Sequence, residues 1–300
     1  MPSWQSYVVH PVLLMFVKRK LAKAFTPFEA RAAFGKHPQQ AVPGASFTAE
    51  SVGDIRGEWA RGKAPAVGAM LYLHGGGYFA CSPTTHRPIT GGFAVRGFAV
   101  FAPAYRLAPE HPFPAAVEDA LACYRALLAL HGAGRLVVAG DSAGGGLALA
   151  TLMAARDAGC AMPAGLVLFS PWTDLAATGA SIQANAARES MLVGTRIPEV
   201  AALYLQGTQP KTPLASPLYG DLSGLPPTLI QVSDREILLD DSTRVAEKIN
   251  AAGGRATLSV WPNLPHAWQI SQSFLPEARQ ALTQAADFAS SALASGVAAA

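Results

Sequence analysis

Short apolar runs alternate with segments of helical periodicity from about residue 50 to the end of the chain. The runs have the length of buried strands, and the longer segments carry apolar residues three and four positions apart. Predicted strands occupy 52–59, 66–73, 98–103, 136–139, 164–169, 228–233 and 257–261. Predicted helices occupy 115–131, 143–159, 241–252 and 276–294. This repeated order predicts an α/β fold, in which helices cover both faces of a mostly parallel sheet.

One long segment interrupts the alternation. Residues 174–227 contain helical pieces but no convincing strand. An interruption of this length inside a doubly covered sheet is typical of an inserted lid or a functional loop. Together with residues 1–45, it is expected to roof the sheet.

Composition excludes several classes of protein. The chain has 300 residues, half of them apolar, so it can bury a large core. A net charge of +3 is too weak and too dispersed for nucleic-acid binding. The three cysteines, Cys81, Cys123 and Cys160, are too far apart to suggest a disulfide framework or a metal site. We therefore expect no metal and no cofactor, and a reducing, cytoplasmic setting.

The N-terminal segment is apolar but short. Residues 7–17 (YVVHPVLLMFV) precede the basic residues 18–20, which is the reverse of the order in a signal peptide. A membrane span needs about twenty apolar residues. We expect an amphipathic helix packed on the protein, without stable membrane insertion. A membrane-surface anchor is the alternative.

A serine flanked by glycines follows one predicted strand. In GDSAGGG (140–146), Gly140 and Gly144 lie two positions before and after Ser142, which matches the G-x-S-x-G nucleophile elbow. A phosphate-binding loop would need a lysine beside a serine or threonine after the second glycine, and none is present. A helix cap formed by Ser142 or Asp141 is the simpler alternative. The position between a strand and an alanine-rich helix favours a nucleophile.

A second glycine-rich turn ends an earlier strand. In LYLHGGGY, His74 precedes Gly75, Gly76 and Gly77. Adjacent glycines let backbone N–H groups turn toward a ligand, as in the oxyanion holes of lipases and esterases. We expect the N–H groups of Gly75, Gly76 and Ala143 to be the donors. A flexible turn without function is the alternative.

A nucleophilic serine needs a base and an orienting acid, which follow it in the order acid, then histidine. His266, in WPNLPHAW, is the only histidine after Ser142 in the sequence. Asp240 and Asp241 open a predicted helix, where a structural role suffices. Asp234 and Glu236 both lie in the turn after the strand, and the pattern alone does not choose between them.

Six motifs together resemble the hormone-sensitive-lipase-like esterases of the α/β-hydrolase superfamily. They cover about residues 70 to 270 in the order of that family: HGGGY, YRLAPEHPFPAA, GDSAGGG, SPWTDL, ASPLYGDLSGLPPTLIQVSDREILLDDS and WPNLPHAW. The resemblance implies a serine carboxylesterase acting through an acyl-enzyme, with Ser142, Glu236 and His266 as the catalytic triad. It also implies a helical cap from residues 1–45 and 175–220. The hydrolase core would then comprise residues 46–174 and 221–300.

The same resemblance implies a small pocket under the cap. Its expected lining residues are Tyr78, Trp172, Met191, Leu203 and Trp268. A crowded pocket suits short acyl chains, and the resemblance implies a range of roughly two to six carbons.

The YRLAPEHPFPAA motif (105–116) carries less chemistry. Tyr105 and Arg106, with the later Asp119, are candidates for holding the oxyanion loop, although simple scaffold support is favoured.

The expected partner is a small-molecule ester, and the resemblance implies a homodimer through the last strand, 257–261. A membrane-surface lipase acting on longer chains through the helix at 7–17 is one alternative. A non-catalytic binder, similar to the gibberellin receptors, is another. The presence of His266 argues against the binder.

Overall fold

A single mixed sheet organises the computed structural model, which describes residues 2–23, 26–35 and 42–298. In these residues the sheet has eight strands in the order β1-β2-β4-β3-β5-β6-β7-β8. The pairs β1·β2 and β2·β4 are antiparallel, and all the others are parallel. The strands are Ser46–Val52 (β1), Ile55–Arg61 (β2), Gly68–Leu73 (β3), Phe98–Pro103 (β4), Leu136–Asp141 (β5), Gly165–Phe169 (β6), Thr228–Ser233 (β7) and Ala256–Trp261 (β8).

Helices cover both faces of this sheet, as the sequence pattern predicts. Their ranges are Trp4–Leu13 (α1), Arg19–Lys23 (α2), Pro27–Gly35 (α3), Arg87–Ala94 (α4), Ala115–His131 (α5), Ala143–Asp157 (α6), Ser181–Ala184 (α7), Ile197–Leu205 (α8), Leu239–Ala251 (α9) and Pro276–Ala298 (α10). A π-helical turn, Leu14–Lys18, joins α1 to α2. The helices α5, α6 and α9 contribute to the hydrophobic core on one face, and α4 and α10 to the core on the other.

The central strands are buried on both faces. Every residue of β3, β5, β6 and β7 is buried. A strand covered by helices on both sides reads as a continuous apolar run rather than an alternating one. The predictions for 98–103 and 228–233 match β4 and β7 to the residue, and the predictions for β3, β5, β6 and β8 differ by at most two residues at an end.

The prediction of one strand at 52–59 is wrong. The chain forms an antiparallel hairpin there, in which β1 ends at Val52 and β2 begins at Ile55. Gly53 turns between them with φ 58°, a conformation that glycine adopts without strain. The first strand is largely exposed and has no apolar periodicity, so the pattern carried no signal for it.

The N-terminal helix lies on the protein, but its orientation differs from the expectation. Ser6, Val9 and His10 are its buried residues, whereas Tyr7 and most of its other large apolar side chains are exposed. The expected packing on the protein is present, but it runs through Ser6, Val9 and His10 rather than through the apolar side of an amphipathic helix. None of the described helices is both long enough and apolar enough to cross a membrane.

The long interruption of the sheet pattern is helical. Within 175–220, the structure has α7, α8 and short 3₁₀ turns, and no strand. Parts of the other expected cap segment, 1–45, namely residues 1, 24, 25 and 36–41, lie outside the described residues. Strand β8 lies at one edge of the sheet and pairs with β7. A homodimer through this edge stays a prediction.

Candidate active site

The serine of GDSAGGG lies in a sharp turn between β5 and α6. Ser142 has φ 53° and ψ −126°, a left-handed conformation that costs energy for a residue with a side chain. A Cβ at Gly144 would overlap the carbonyl oxygen of Leu73, and a Cβ at Gly140 would overlap that of Gly144. Glycine at these two positions is therefore a steric requirement. The turn places Ser142 at the carboxyl edge of the sheet and directly before the N-terminus of a helix.

The structure corrects one prediction for the glycine-rich turn at 74–77, the expected oxyanion loop. The N–H of Gly75 donates to Asp141 Oδ1 at 3.0 Å, so it is not free to bind a ligand. Gly76 and Gly77 line the same cavity as Ser142 instead, with φ of 117° and 61°. Among the hydrogen bonds of the described residues, the N–H groups of Gly76, Gly77 and Ala143 have no acceptor. The available donors are therefore Gly76, Gly77 and Ala143.

A network of buried hydrogen bonds holds this loop in place. The carboxylate of Asp141 accepts the hydroxyl of Tyr72 at 2.6 Å as well as the N–H of Gly75, and His86 Nε2 lies 3.3 Å from its other oxygen. The hydroxyl of Tyr105 donates to the carbonyl oxygen of His74 at 2.7 Å. A buried carboxylate with this many partners is held rigidly.

The residues of YRLAPEHPFPAA divide between two tasks. Tyr105 supports the oxyanion loop through His74 and stacks on the His74 ring at 4.3 Å. Arg106 pairs with Asp119 instead, with Nη2 2.7 Å from Oδ1, and its backbone N–H donates to the same carboxylate. The pair thus supports the loop after β4, and of the three candidates Tyr105 is the one that bonds to the oxyanion loop.

The predicted base and one of the two candidate acids meet. His266 Nδ1 donates to Glu236 Oε2 at 2.6 Å, and both side chains are buried. His266 lines the cavity that contains Ser142, and its Nε2 has no hydrogen-bond partner among the described residues. Asp234 is half-exposed and accepts the N–H of Asn263 at 2.9 Å. The geometry thus selects Glu236 over Asp234 as the partner of His266.

Burial and pairing act in opposite directions on the imidazole. Burial disfavours its charged form, but the hydrogen bond and the charge of Glu236 outweigh burial, so the pKa of His266 is raised. The buried carboxylate of Glu189 adds to this effect. In contrast, burial lowers the pKa of His74, behind the oxyanion loop, to about 3. His74 is therefore neutral at physiological pH and serves the scaffold.

Two residues that the sequence did not single out hold the acid in place. The hydroxyl of Ser170 donates to Glu236 Oε1 at 2.8 Å and accepts the N–H of Ala267 at 3.3 Å. Ser170 thus links the acid to the histidine loop. Glu189 accepts the N–H groups of Met191 at 2.8 Å and of Ile237 at 3.4 Å, joining the cavity wall to the acid loop. The SPWTDL motif marks Ser170, but nothing local marks Glu189.

The cavity has a volume of about 290 Å³ and a mostly apolar lining. Trp172, Met191 and Leu203 line it as expected. The expected cap segments both contribute, since Leu21 comes from the N-terminal segment and Met191 from the insertion. Two predicted lining residues are absent from its wall. Tyr78 is buried and stacks on Tyr204, with ring centroids 3.8 Å apart.

Trp268 is the second residue that the cavity does not include. It is fully buried in a separate cluster with Leu264 and Leu275, beneath α10. The loop after β8 carries both His266 and Trp268, and it sends one to the cavity and the other into the core. The assignment of Tyr78 and Trp268 to substrate binding is therefore corrected.

Known proteins resemble this chain over most of its length. A family model described as alpha/beta hydrolase fold matches residues 70–270. The chain is 46% identical to an acetyl-hydrolase of Streptomyces hygroscopicus over 250 residues, which cover 82% of this chain and 83% of that protein. It is 38% identical to an esterase of Acinetobacter venetianus over 240 residues, which cover 79% of each chain.

Solved structures extend the likeness to nearly the whole chain. An esterase of the bacterial hormone-sensitive lipase family has a TM-score of 0.91 and 39% identity, covering 98% of this chain and 99% of that one. The structure of EstE5 from crystals soaked with p-nitrophenyl butyrate matches with a TM-score of 0.93 and 38% identity. The match covers 97% of this chain and 99% of that one. The fold and the site thus define a carboxylic ester hydrolase of the α/β-hydrolase fold. The chain belongs to the hormone-sensitive-lipase-like esterases, as its motifs predict.

We predict that Ser170→Ala lowers kcat for a nitrophenyl ester about tenfold, because Glu236 loses a buried donor worth about 1.5 kcal/mol. KM should change little, since Ser170 does not line the cavity. Steady-state kinetics of this variant, compared with Ser242→Ala, provide the test. Ser242 is also buried, and its hydroxyl has no partner among the described residues. An equal loss in both variants would assign Ser170 a merely structural role.

Proposed function

We propose that this chain hydrolyses short-chain carboxylic esters through an acyl-enzyme formed on Ser142. The observation that carries the proposal is the convergence of Ser142 and His266 on one apolar cavity, with His266 Nδ1 bonded to Glu236 at 2.6 Å. Three residues that are distant in sequence thus supply a nucleophile, a base and an orienting acid.

In the first half-reaction, His266 Nε2 accepts the proton of the Ser142 hydroxyl as the oxygen attacks the ester carbonyl carbon. Glu236 holds Nδ1–H and so leaves Nε2 unprotonated and able to accept that proton. The carboxylate also stabilises the imidazolium as it forms. His266 then gives the proton to the departing alkoxide, and the alcohol leaves the acyl-enzyme behind.

The negative oxygen of the tetrahedral intermediate needs preorganised donors. The N–H groups of Gly76, Gly77 and Ala143 would supply them, and Asp141 would keep Gly75 and the loop in position. Donors fixed in a dry site need no reorganisation during the reaction, and each typically contributes about 3 kcal/mol.

In the second half-reaction, a water molecule replaces the alcohol. His266 takes a proton from the water as its oxygen attacks the acyl carbon, and the carboxylic acid departs as Ser142 regains its proton. The same imidazole therefore serves as base and acid in both halves. Its pKa, raised above the usual value by Glu236, suits it to return the proton.

We predict that Ser142→Ala abolishes nitrophenyl-ester turnover, with a loss of at least about 10⁴-fold, because no nucleophile remains. The fold should survive, as measured by urea unfolding. Ser291→Ala, at an exposed serine on α10, is the matched control and should behave as wild type. A fluorophosphonate should label the wild type and not Ser142→Ala. Wild-type turnover in that variant would contradict the mechanism, and an unlabelled wild type would favour a binder.

We predict that Glu236→Gln lowers kcat/KM by about 10³-fold or more, because the amide does not stabilise the imidazolium. Asp234→Asn should lower kcat/KM by less than about fivefold, since the amide oxygen of the new side chain still accepts the N–H of Asn263.

The pH profile sharpens this comparison. Activity requires neutral His266, so kcat/KM falls as pH drops through the pKa of that residue, which Glu236 raises above about 6.5. In Glu236→Gln, burial still lowers the pKa of His266, but the carboxylate of Glu236 no longer raises it. The acid limb of the pH profile should therefore move to lower pH. An acid limb that moves in Asp234→Asn instead would reassign the orienting carboxylate.

The cavity supports a preference for short acyl chains. Its volume of about 290 Å³ lies at the lower end of the range of roughly 300–1,000 Å³ for small-molecule sites. Met191 and Leu203, from the proposed cap, form part of its wall. The acetyl-hydrolase relative and the p-nitrophenyl butyrate used with EstE5 point to the same class of substrate.

We predict that kcat/KM for a series of p-nitrophenyl esters peaks between acetate and hexanoate and falls at least about tenfold by dodecanoate. Leu203→Ala enlarges the cavity and should move the peak to longer chains. Leu130→Ala removes the same atoms from an exposed position and should leave it unchanged. A wild-type peak at dodecanoate or beyond would contradict the short-chain assignment.

A further inference from the structure

The N-terminal helix turns most of its apolar residues to solvent and its polar residues toward the protein, which is the reverse of an ordinary surface helix. Along α1 and the π-helical turn after it, the exposed residues are all apolar: Trp4, Tyr7, Val8, Pro11, Val12, Leu14, Met15 and Phe16. The polar residues Ser6 and His10 face the protein. Single exposed apolar side chains are ordinary, but a contiguous row marks an interaction surface. We call these eight residues the N-terminal apolar face.

Polar bonds fix this face outward. His10 Nδ1 lies 2.9 Å from Ser190 Oγ, and the side-chain amide of Asn263 donates to Ser6 Oγ at 3.2 Å. At the start of the helix, the N–H of Ser3 donates to Glu277 Oε1 at 2.6 Å. Turning the helix over to bury its apolar side chains would break all three contacts. The apolar row is therefore presented by a specific attachment.

Basic residues adjoin the apolar face. Residues 2–28 contain Lys18, Arg19, Lys20 and Lys23 and no aspartate or glutamate. Lys18 donates to the carbonyl oxygens of the cap insertion. Arg19, Lys20 and Lys23 are exposed, and none of them forms an ion pair within the described part of the chain. An occupant of the surface therefore needs to be both apolar and negatively charged.

We propose that the N-terminal apolar face docks on the surface of an anionic lipid bilayer. A helix with aromatic and aliphatic side chains on one side and lysine or arginine beside them lies in the plane of a membrane interface. Tryptophan and tyrosine, which this helix carries at its outer surface, favour the headgroup level. Anionic headgroups would meet the basic residues at the end of the face.

Charge argues against a second copy of this chain as the occupant. A two-fold contact through the apolar face would bring two segments of the same positive charge together, and neither offers a carboxylate. A lipid surface supplies the opposite charge without that repulsion.

The docking surface also lies beside the cavity. Leu21, Thr26 and Pro27, from the same N-terminal segment, line the cavity that contains Ser142. Docking would therefore hold the cavity next to the lipid surface. The docking itself does not depend on ester hydrolysis, so its test and that of the proposed function are separate.

The test is co-sedimentation of the full-length chain with vesicles. One set contains phosphatidylcholine alone and the other about one quarter phosphatidylglycerol, at low and at high salt. We expect binding at least tenfold stronger to the anionic vesicles at low salt, with most of that difference lost at high salt.

Two pairs of variants separate the apolar and the basic contributions. Met15→Ser/Phe16→Ser should weaken binding at least tenfold, whereas Val67→Ser/Leu130→Ser, which removes comparably exposed apolar side chains elsewhere, should not. Arg19→Gln/Lys20→Gln should abolish the preference for anionic vesicles. Lys63→Gln/Arg125→Gln makes the same change in net charge at exposed positions elsewhere and should retain it. All four should hydrolyse a soluble nitrophenyl acetate at the wild-type rate, which reports an intact fold.

Four results would overturn the proposal. The first is no binding to either vesicle set, and the second is equal binding to both. The third is binding that Met15→Ser/Phe16→Ser leaves unchanged. The fourth is a concentration-dependent dimer in sedimentation velocity that this same variant abolishes, since the apolar face would then be the contact between two copies.

Discussion

The sharp turn at Ser142 is the constraint on which the site depends. The left-handed backbone there reverses the chain between β5 and α6 within one residue. It is held from both sides, because the N–H of Ser142 donates to Phe169 and its carbonyl oxygen accepts the N–H of Trp172. Because Gly140 and Gly144 leave room for this turn, the hydroxyl stands at the carboxyl edge of the sheet with the N-terminus of a helix behind it.

Two buried carboxylates organise the surroundings of this turn. Asp141 fixes the oxyanion loop through Gly75, and Glu236 fixes the imidazole of His266. Each accepts several hydrogen bonds, which offset part of the cost of burying its charge. Removing one partner would leave a costly unsatisfied group. Two separate polar clusters, one on each carboxylate, thus hold the expected oxyanion donors and the expected base at the end of an otherwise apolar sheet.

Much of this could be predicted from the sequence, because the central strands are continuous apolar runs and the glycine-flanked serine follows one of them. The hairpin β1·β2 was missed since β1 has no buried face. The helix α4 was missed because RPITGGFA carries a proline and two glycines in eight residues.

Orientation was the less predictable quantity. Nothing in the sequence distinguishes Gly75 from Gly76 as an oxyanion donor. Only the hydrogen bond from the Gly75 N–H to Asp141, formed in the folded chain, separates them. The orientation of Trp268 and of the N-terminal helix is unpredictable for a related reason. An apolar pattern does not tell which side of a segment faces the protein.

A crystal structure of the chain inactivated by a fluorophosphonate tests the proposed roles of Ser142, His266 and the glycine-rich loop most directly. We predict a phosphorus bonded to Ser142 Oγ, with the phosphoryl oxygen within hydrogen-bond distance of the N–H groups of Gly76, Gly77 and Ala143. His266 Nε2 should face the oxygen of Ser142, and its Nδ1 should remain on Glu236. An adduct on another residue, or a phosphoryl oxygen bound by the N–H of Gly75 with Asp141 displaced, would contradict these roles.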